Sequence, residues 1–207
     1  VNRSTRGRSS RRAADLDTRG FTLIELLLAV AMAAVLASAA IPIGLRMLDD
    51  FRARGAATYL AHRLGRARIE AIKRSTFVGL RFEASADDYS FRAVVDGNDN
   101  GLRTSEIVAG TDLTVTQAEF LAWNFPGVTF GLLPGTPDAD GSMAGGDDGV
   151  RVGASGIVSM NPNGSSSSGT LYVHGRRRAQ YAVRVLGATG RVRLMKYLEG
   201  ERRWRDQ

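Results

Sequence analysis

The sequence predicts an α+β protein in which one long N-terminal helix, apolar in its first half and amphipathic in its second, packs on an antiparallel β domain. Three observations predict it. An apolar run fills Phe21–Leu45, a stripe of small and apolar residues continues the helical period as far as Ala71, and beyond Ser75 the hydrophobic period drops to two.

Residues 1–20 form a basic leader. Its six arginines outweigh Asp15 and Asp17, so it carries +4 of the formal +7, leaving 7 − 4 = +3 for the chain from Phe21 onward. The basic excess is therefore mostly a topology signal: arginines ahead of an apolar span hold that end in the cytoplasm and send the rest of the chain across the membrane. A twin-arginine pair, Arg11-Arg12, lies in the leader, but the apolar run is too long for a secretory signal core and no Ala-x-Ala site closes it, so the segment reads as retained.

Residues 21–45 form the membrane segment, long enough as a helix to cross a hydrocarbon core of about 30 Å. Glu25 is its one ionisable side chain, and a carboxylate in such a span calls for a partner. Pro42 removes a backbone hydrogen bond and is expected to kink or loosen the helix there. Residues 46–75 form the amphipathic half. Ala53, Ala57, Leu60, Leu64, Ala67 and Ala71 make one stripe, with Arg52, Arg63, Arg66, Glu70 and Lys73 off it.

Residues 76–207 form the β domain. Runs rich in β-branched and aromatic residues are expected as strands at Thr76–Glu83, Tyr89–Val95, Gly127–Leu132, Val150–Val152, Gly156–Met160, Thr170–His174, Tyr181–Leu186 and Arg191–Tyr197. Pro134–Gly149, rich in Gly and Asp and without periodicity, reads as a mobile loop. Asn161–Gly169, with four successive serines, reads as a long turn.

Gly20-Phe21-Thr22-Leu23-Ile24-Glu25, preceded by arginines and followed by an apolar span interrupted at Pro42, resembles the processing site of type IV prepilins and type II secretion pseudopilins. That resemblance implies cleavage after Gly20 by a prepilin peptidase, N-methylation of the new terminal Phe21, and a filament-assembly role for Glu25 against the Phe21 amine of a neighbour. An ordinary signal anchor accounts for the arginines and the apolar run but leaves Gly20 and Glu25 as coincidences. Further along, Arg66–Arg74, the Asp96–Gly101 turn, Phe125-Pro126-Gly127, Asn163-Gly164 and the terminal Gly190-Arg191-Val192-Arg193 resemble the GspH/FimT group.

The likeness implies a type IV pilin-like fold and a minor pseudopilin of a type II secretion system. Such a subunit is single-pass in the inner membrane, with its C-terminal domain in the periplasm. Its partners would be the prepilin peptidase/methyltransferase, other pseudopilins or pilins in a filament, and secreted proteins. The alternative it implies is a FimT-like minor type IV pilin acting in pilus assembly and DNA uptake, with Arg191 and Arg193 of the Gly-Arg-x-Arg pattern as DNA-binding candidates. The basic tail, with Tyr197 and Trp204 available for stacking, suits a phosphate backbone, although a charge run is more often a solvated face.

Other chemistry finds little support. The chain has no cysteine, which excludes disulfides, thiolate catalysis and zinc–thiolate sites. Asp96, Asn98 and Asn100 open an Asp-x-Asn-x-Asn-Gly pattern, a calcium candidate, but the twelfth position is Ile107, with Glu106 one residue early; a turn is the other reading. His62 and His174 show no metal or triad spacing, and no Gly-x-Ser-x-Gly elbow surrounds Ser165–Ser168. No cofactor and no enzymatic activity are expected.

Overall fold

The computed structural model describes residues 21–207 except Asp87 and 143–145. The leader and Gly20 therefore lie outside the described residues. Helix α1 (Leu23–Arg74) runs for 52 residues with Pro42 inside it. It belongs to two compact units, one ending at Pro42 and the other spanning Ile43–Gln207. Along residues 21–42 the side chains are exposed and, apart from Thr22, Glu25 and Ser38, apolar, and α1 is long and apolar enough to cross a membrane.

In the second unit the predicted stripe is the buried one. Ala53, Ala57, Leu60, Leu64, Ala67 and Ala71 are all at most 5 % exposed, joined by Ala56. Two antiparallel sheets close over it. The first has the order β3-β2-β1-β7, with β4 beside β2, built from β1 (Val78–Ser85), β2 (Asp88–Val95), β3 (Leu113–Thr114), β4 (Glu119–Phe120) and β7 (Ile157–Met160). Its register pairs Leu80 with Ala93 and Phe82 with Phe91, so one face presents Val78, Leu80, Phe82, Phe91 and Val95 to the helix stripe. Behind the other face, α2 (Thr104–Ala109) sets Ile107 against Val94 and Ile157.

The second sheet has the order β11-β10-β9-β8-β5, with β6 beside β8. It is made of β5 (Thr129–Phe130), β6 (Val150–Arg151), β8 (Gly169–His174), β9 (Gln180–Leu186), β10 (Arg191–Leu198) and β11 (Arg203–Asp206). Leu171, Val173, Tyr181, Val183 and Val185 face the same core as the first sheet. The opposite face buries Tyr172, Ala182 and Met195 under Leu132, Ala139 and Trp204. A short helix, α3 (Leu121–Asn124), leads into Phe125, whose ring lies 5.9 Å from that of Tyr59 on α1.

All eight predicted strands are present, most of them with slightly shifted ends. The elements the sequence left unassigned are β3, β4, α2, α3 and β11, all of six residues or fewer. The 134–149 segment carries no helix or strand among its described residues, in line with the loop expected, and it is fastened at its first half: Trp204 Nε1 donates to Pro137 O at 2.9 Å and Ala139 N donates to the Tyr172 hydroxyl at 2.9 Å, while Leu133 N, just before it, donates to Gln180 Oε1 at 2.9 Å. Burial and the neighbouring Asp138 carboxylate push the Tyr172 hydroxyl up to about 12, so it stays a neutral donor to that carboxylate. The serine tract stitches the sheets together: Ser167 N donates to Ser159 O at 2.9 Å, covering the outer edge of β7, while Ser166 N donates to Gly187 O at 2.8 Å.

One polar group is central to the seating of α1. Asp49 is 9 % exposed, and its Oδ2 accepts N–H bonds from Arg177 at 2.8 Å and Ala179 at 3.4 Å in the turn between β8 and β9. Gly175 makes the approach feasible, since a Cβ there would collide with the Asp49 carboxylate. Next to it, Asp50 accepts from the Tyr181 hydroxyl at 3.0 Å and pairs with Lys196 at 2.6 Å. Burial, then the charge of Asp50, raise the Tyr181 pKa well above its ordinary value.

This packing sets two stability outcomes. Leu64→Ala empties a fully buried position on the stripe and should cost about 2–5 kcal/mol, read as a lower urea midpoint for the full chain in detergent micelles. Asp49→Ala removes the acceptor of two part-buried N–H groups in the turn and should cost about 1–3 kcal/mol, with hydrogen exchange accelerated at the Arg177 and Ala179 amides.

Candidate functional site

The N-terminal site is built on the first turn of α1. Thr22 precedes the helix, and its N–H and hydroxyl each donate to Glu25 Oε2 at 2.8 Å, while Glu25 N–H reaches back to Thr22 Oγ1 at 3.3 Å. This is a reciprocal capping box, Thr-x-x-Glu, which satisfies N–H groups that a helix start otherwise leaves open. A carboxylate at a helix N-terminus is also favoured by the dipole. Phe21, the residue before this box, is 88 % exposed. Glu25 is thus held three residues from Thr22 on the same turn, close in sequence to the position where cleavage after Gly20 would create an amine. Gly20 itself is outside the described residues.

Arg191 and Arg193 lie on β10, on the face turned away from α1, since Val192 and Leu194, which alternate with them, pack toward the core. Arg184 on β9 stands directly across from Arg193, which brings a third arginine to that face. Arg193 forms an ion pair with Asp206 of β11. Gly190 has a packing role in the same pattern: its φ is +60°, and a Cβ there would collide with Gly164 O. Arg68 of α1 donates to that same carbonyl at 2.9 Å, so the Asn163-Gly164 turn and Gly190 form one joint against the helix.

The calcium candidate is arranged differently from a cation loop. Asp96 is buried, with Oδ1 accepting from the N–H of Asn98 and of Asp99 at 2.9 Å each and Oδ2 accepting from Gly101 N at 2.6 Å. Asn98 and Asn100 turn their amide nitrogens to Glu106, at 3.3 and 3.0 Å. Buried Asp112 closes the loop by accepting from Gly97 N and Arg103 N. The carboxylate oxygens of Asp96 and Asp112 accept from the loop's own N–H groups, and the spacing read as a calcium pattern serves an Asx-type turn that leads into α2. Among the described residues no group of three or more His, Asp or Glu side chains is placed to hold a metal ion.

A second acidic corner behaves alike. Asp88 accepts from Phe130 N at 2.9 Å, and Asp148 accepts from the Tyr89 hydroxyl at 2.8 Å and from Val150 N at 2.9 Å. Burial raises the Asp88 carboxyl, and burial with Asp148 pushes the Tyr89 hydroxyl up to about 12. His174 bridges Thr129 and the Gly175 carbonyl, and His62 is exposed.

Two features escape sequence reasoning. The Thr22–Glu25 capping box is written as Thr-x-x-Glu ahead of an apolar run, where the glutamate reads first as an assembly residue. The Asp49 anchor has no local signal, because its partners lie some 130 residues away.

The comparisons with known proteins agree with this geometry. The prokaryotic N-terminal methylation motif matches residues 17–41, covering Phe21, the capping box and most of the apolar run. The type II transport protein GspH family matches residues 56–190, well over half of the chain, from the buried stripe to the glycine that opens β10. Arg191 and Arg193 lie beyond that segment. No curated protein and no solved structure matches the chain. A methylation motif on an exposed apolar helix, followed by a GspH segment folded as two sheets on that helix, places the chain in the GspH pseudopilin family, the minor pseudopilins of type II secretion.

Proposed function

We propose that this pseudopilin is cut after Gly20, methylated on Phe21, held as a single-pass subunit of the inner membrane with residues 76–207 in the periplasm, and then built into a secretion pseudopilus. Members of the family are structural rather than catalytic. The observation that carries the reading is the capping box on an apolar, exposed helix. Glu25 has both its donors, the Thr22 N–H and hydroxyl, within its own first turn. It can therefore sit in an apolar span without a partner chain and exchange that cap for the Phe21 amine of a neighbouring subunit. The exchange replaces a neutral donor by a cationic one, and both charges escape burial alone.

Around this chemistry the β domain supplies shape. α1 contributes its apolar half to a filament core, and the two sheets stand outside it, available to other pseudopilins and to secreted proteins. A second reading, DNA capture through Arg191 and Arg193, is supported by the way Arg184 shares their face. It is opposed by Asp206, which already neutralises Arg193. The two separate by experiment: salt-sensitive DNA retention by the full chain in detergent, lost in Arg191→Ala/Arg193→Ala, would favour DNA capture.

Coexpression with a prepilin peptidase should shorten the chain by its 20-residue leader, and Gly20→Glu should keep it at full length by intact-mass measurement. A mass unchanged by an active peptidase would overturn the reading. Glu25→Ala should still be cleaved but should enter filaments poorly, measured as the fraction sedimenting with sheared pseudopili; normal incorporation would remove the exchange of caps.

A further inference from the structure

The unit spanning Ile43–Gln207 begins before the apolar run has ended, so the depth at which α1 leaves a bilayer is marked on the unit itself. Ile43, Met47 and Phe51 are exposed there. Asp49 lies four residues beyond Leu45, about 6 Å of helix rise. A bilayer of about 40–45 Å with a hydrocarbon core of about 30 Å leaves roughly 5–8 Å of headgroup on each side. Asp49, and whatever is bound to it, therefore stands at headgroup depth.

What is bound to Asp49 is an arginine turn. Its carboxylate holds the Arg177 and Ala179 amides, so Arg176, Arg177 and Arg178, all exposed, are carried to the level of the membrane exit. Two helix arginines join them. Arg46 precedes Asp49 by three residues on the same face and is exposed, and Arg52 donates to Pro126 O at 3.4 Å. The Arg176 side chain lies over Gly127 of the adjoining step, where a Cβ would come within 2.5 Å of its Nε.

The nearby carboxylates are already engaged. Asp49 is spent on backbone N–H groups, Asp50 on Lys196 and Tyr181, and Glu199 on Arg178. Among the described residues, no carboxylate forms an ion pair with Arg46, Arg52, Arg176 or Arg177. Arg46 and Arg52 share the face of α1 that carries Asp49, with Arg176 and Arg177 brought to it by the turn, while exposed Met47 and Phe51 lie on the opposite face, so cations and apolar side chains form an amphipathic rim around the helix where it leaves the membrane segment. Apolar side chains that reach the acyl boundary, with guanidiniums at phosphate depth, suit a lipid interface better than open water.

We propose that this rim binds anionic phospholipid headgroups and holds the β domain against the bilayer surface before the subunit enters a filament. The proposal rests on membrane insertion of α1. Each arginine held at an anionic surface adds roughly fivefold to the bound population, so the rim as a whole discriminates strongly between anionic and zwitterionic bilayers.

The chain has no cysteine, so a single introduced thiol labels uniquely. A nitroxide at Gly200→Cys, next to the Glu199 that pairs with Arg178, in the full-length protein, in nanodiscs of phosphatidylcholine with or without one-third phosphatidylglycerol, reports collisions with a headgroup-anchored nickel chelate. The expected result is a severalfold rise in collision rate with phosphatidylglycerol, abolished by Arg176→Gln/Arg177→Gln and reduced by salt. Equal rates in both bilayers would overturn the proposal, and so would a change that appears only when other pseudopilins are added, which would assign the rim to a protein neighbour. A second label, at Ala33→Cys, reports oxygen access in the hydrocarbon core. If that label is in lipid while the Gly200→Cys label is indifferent to composition, the rim alone is disproved; if it is not in lipid, membrane insertion and the rim fall together.

Discussion

The β domain depends on one shared contact: a helix stripe, mostly of alanines, that both sheets bury. Ala53, Ala56, Ala57, Ala67 and Ala71 form one core with side chains of β1 and β2 from the first sheet and of β8 and β9 from the second. Leu60 and Leu64 fill the middle, where Phe82, Phe91 and Phe130 meet in mutually edge-on or tilted rings. A larger residue on this stripe would push both sheets away at once, because interiors tolerate added volume poorly. The core of the unit from Ile43 onward is therefore organised around α1 and cannot be completed by either sheet alone.

The polar chemistry has one pattern throughout. Nearly every carboxylate that looks reactive in the sequence is consumed by a nearby N–H or cation. Asp96 and Asp112 hold a turn, Asp49 holds another, Asp88 and Asp148 hold strand ends, and Glu25 caps its own helix. A buried or membrane-embedded carboxylate is costly without donors, and these supply them. Glu25 differs from the rest in its place, on the first turn of α1, where the proposed processing would create an amine one residue before Thr22. Under that proposal its cap can be exchanged, whereas the donors of Asp49 are fixed in a strand turn.

Much of this is legible from the chain alone, for identifiable reasons. The stripe from Ala53 to Ala71 repeats at helical spacing, and every predicted member is buried. The strands with alternating or continuous apolar runs are also visible, as is the processing motif, because each is written locally. The elements that escape have no local period. β3 and β4 have two residues each, too few for alternation to show, and β11 is Arg-Trp-Arg-Asp, which reads as a solvated tail until Trp204 is seen against Tyr172 and Met195. The calcium-like pattern misleads for the opposite reason: closely spaced Asp and Asn serve turns and cations with the same oxygens, and only the positions of the surrounding N–H groups separate the two uses.

The bond from Trp204 to Pro137 spans 67 residues and seats the glycine-rich segment on the outer face of β8 and β9. It also sets an order of events during synthesis. While the chain emerges from its N-terminus, Leu132 and Ala139 precede the strands they cover, but Tyr172, Ala182 and Met195 still lack Trp204, so part of the apolar patch stays open until the β11 hairpin arrives. Until then the sheet's outer surface is only partly hidden. A subunit delayed at that point would offer its half-covered sheet to chaperones, proteases or other unfinished copies.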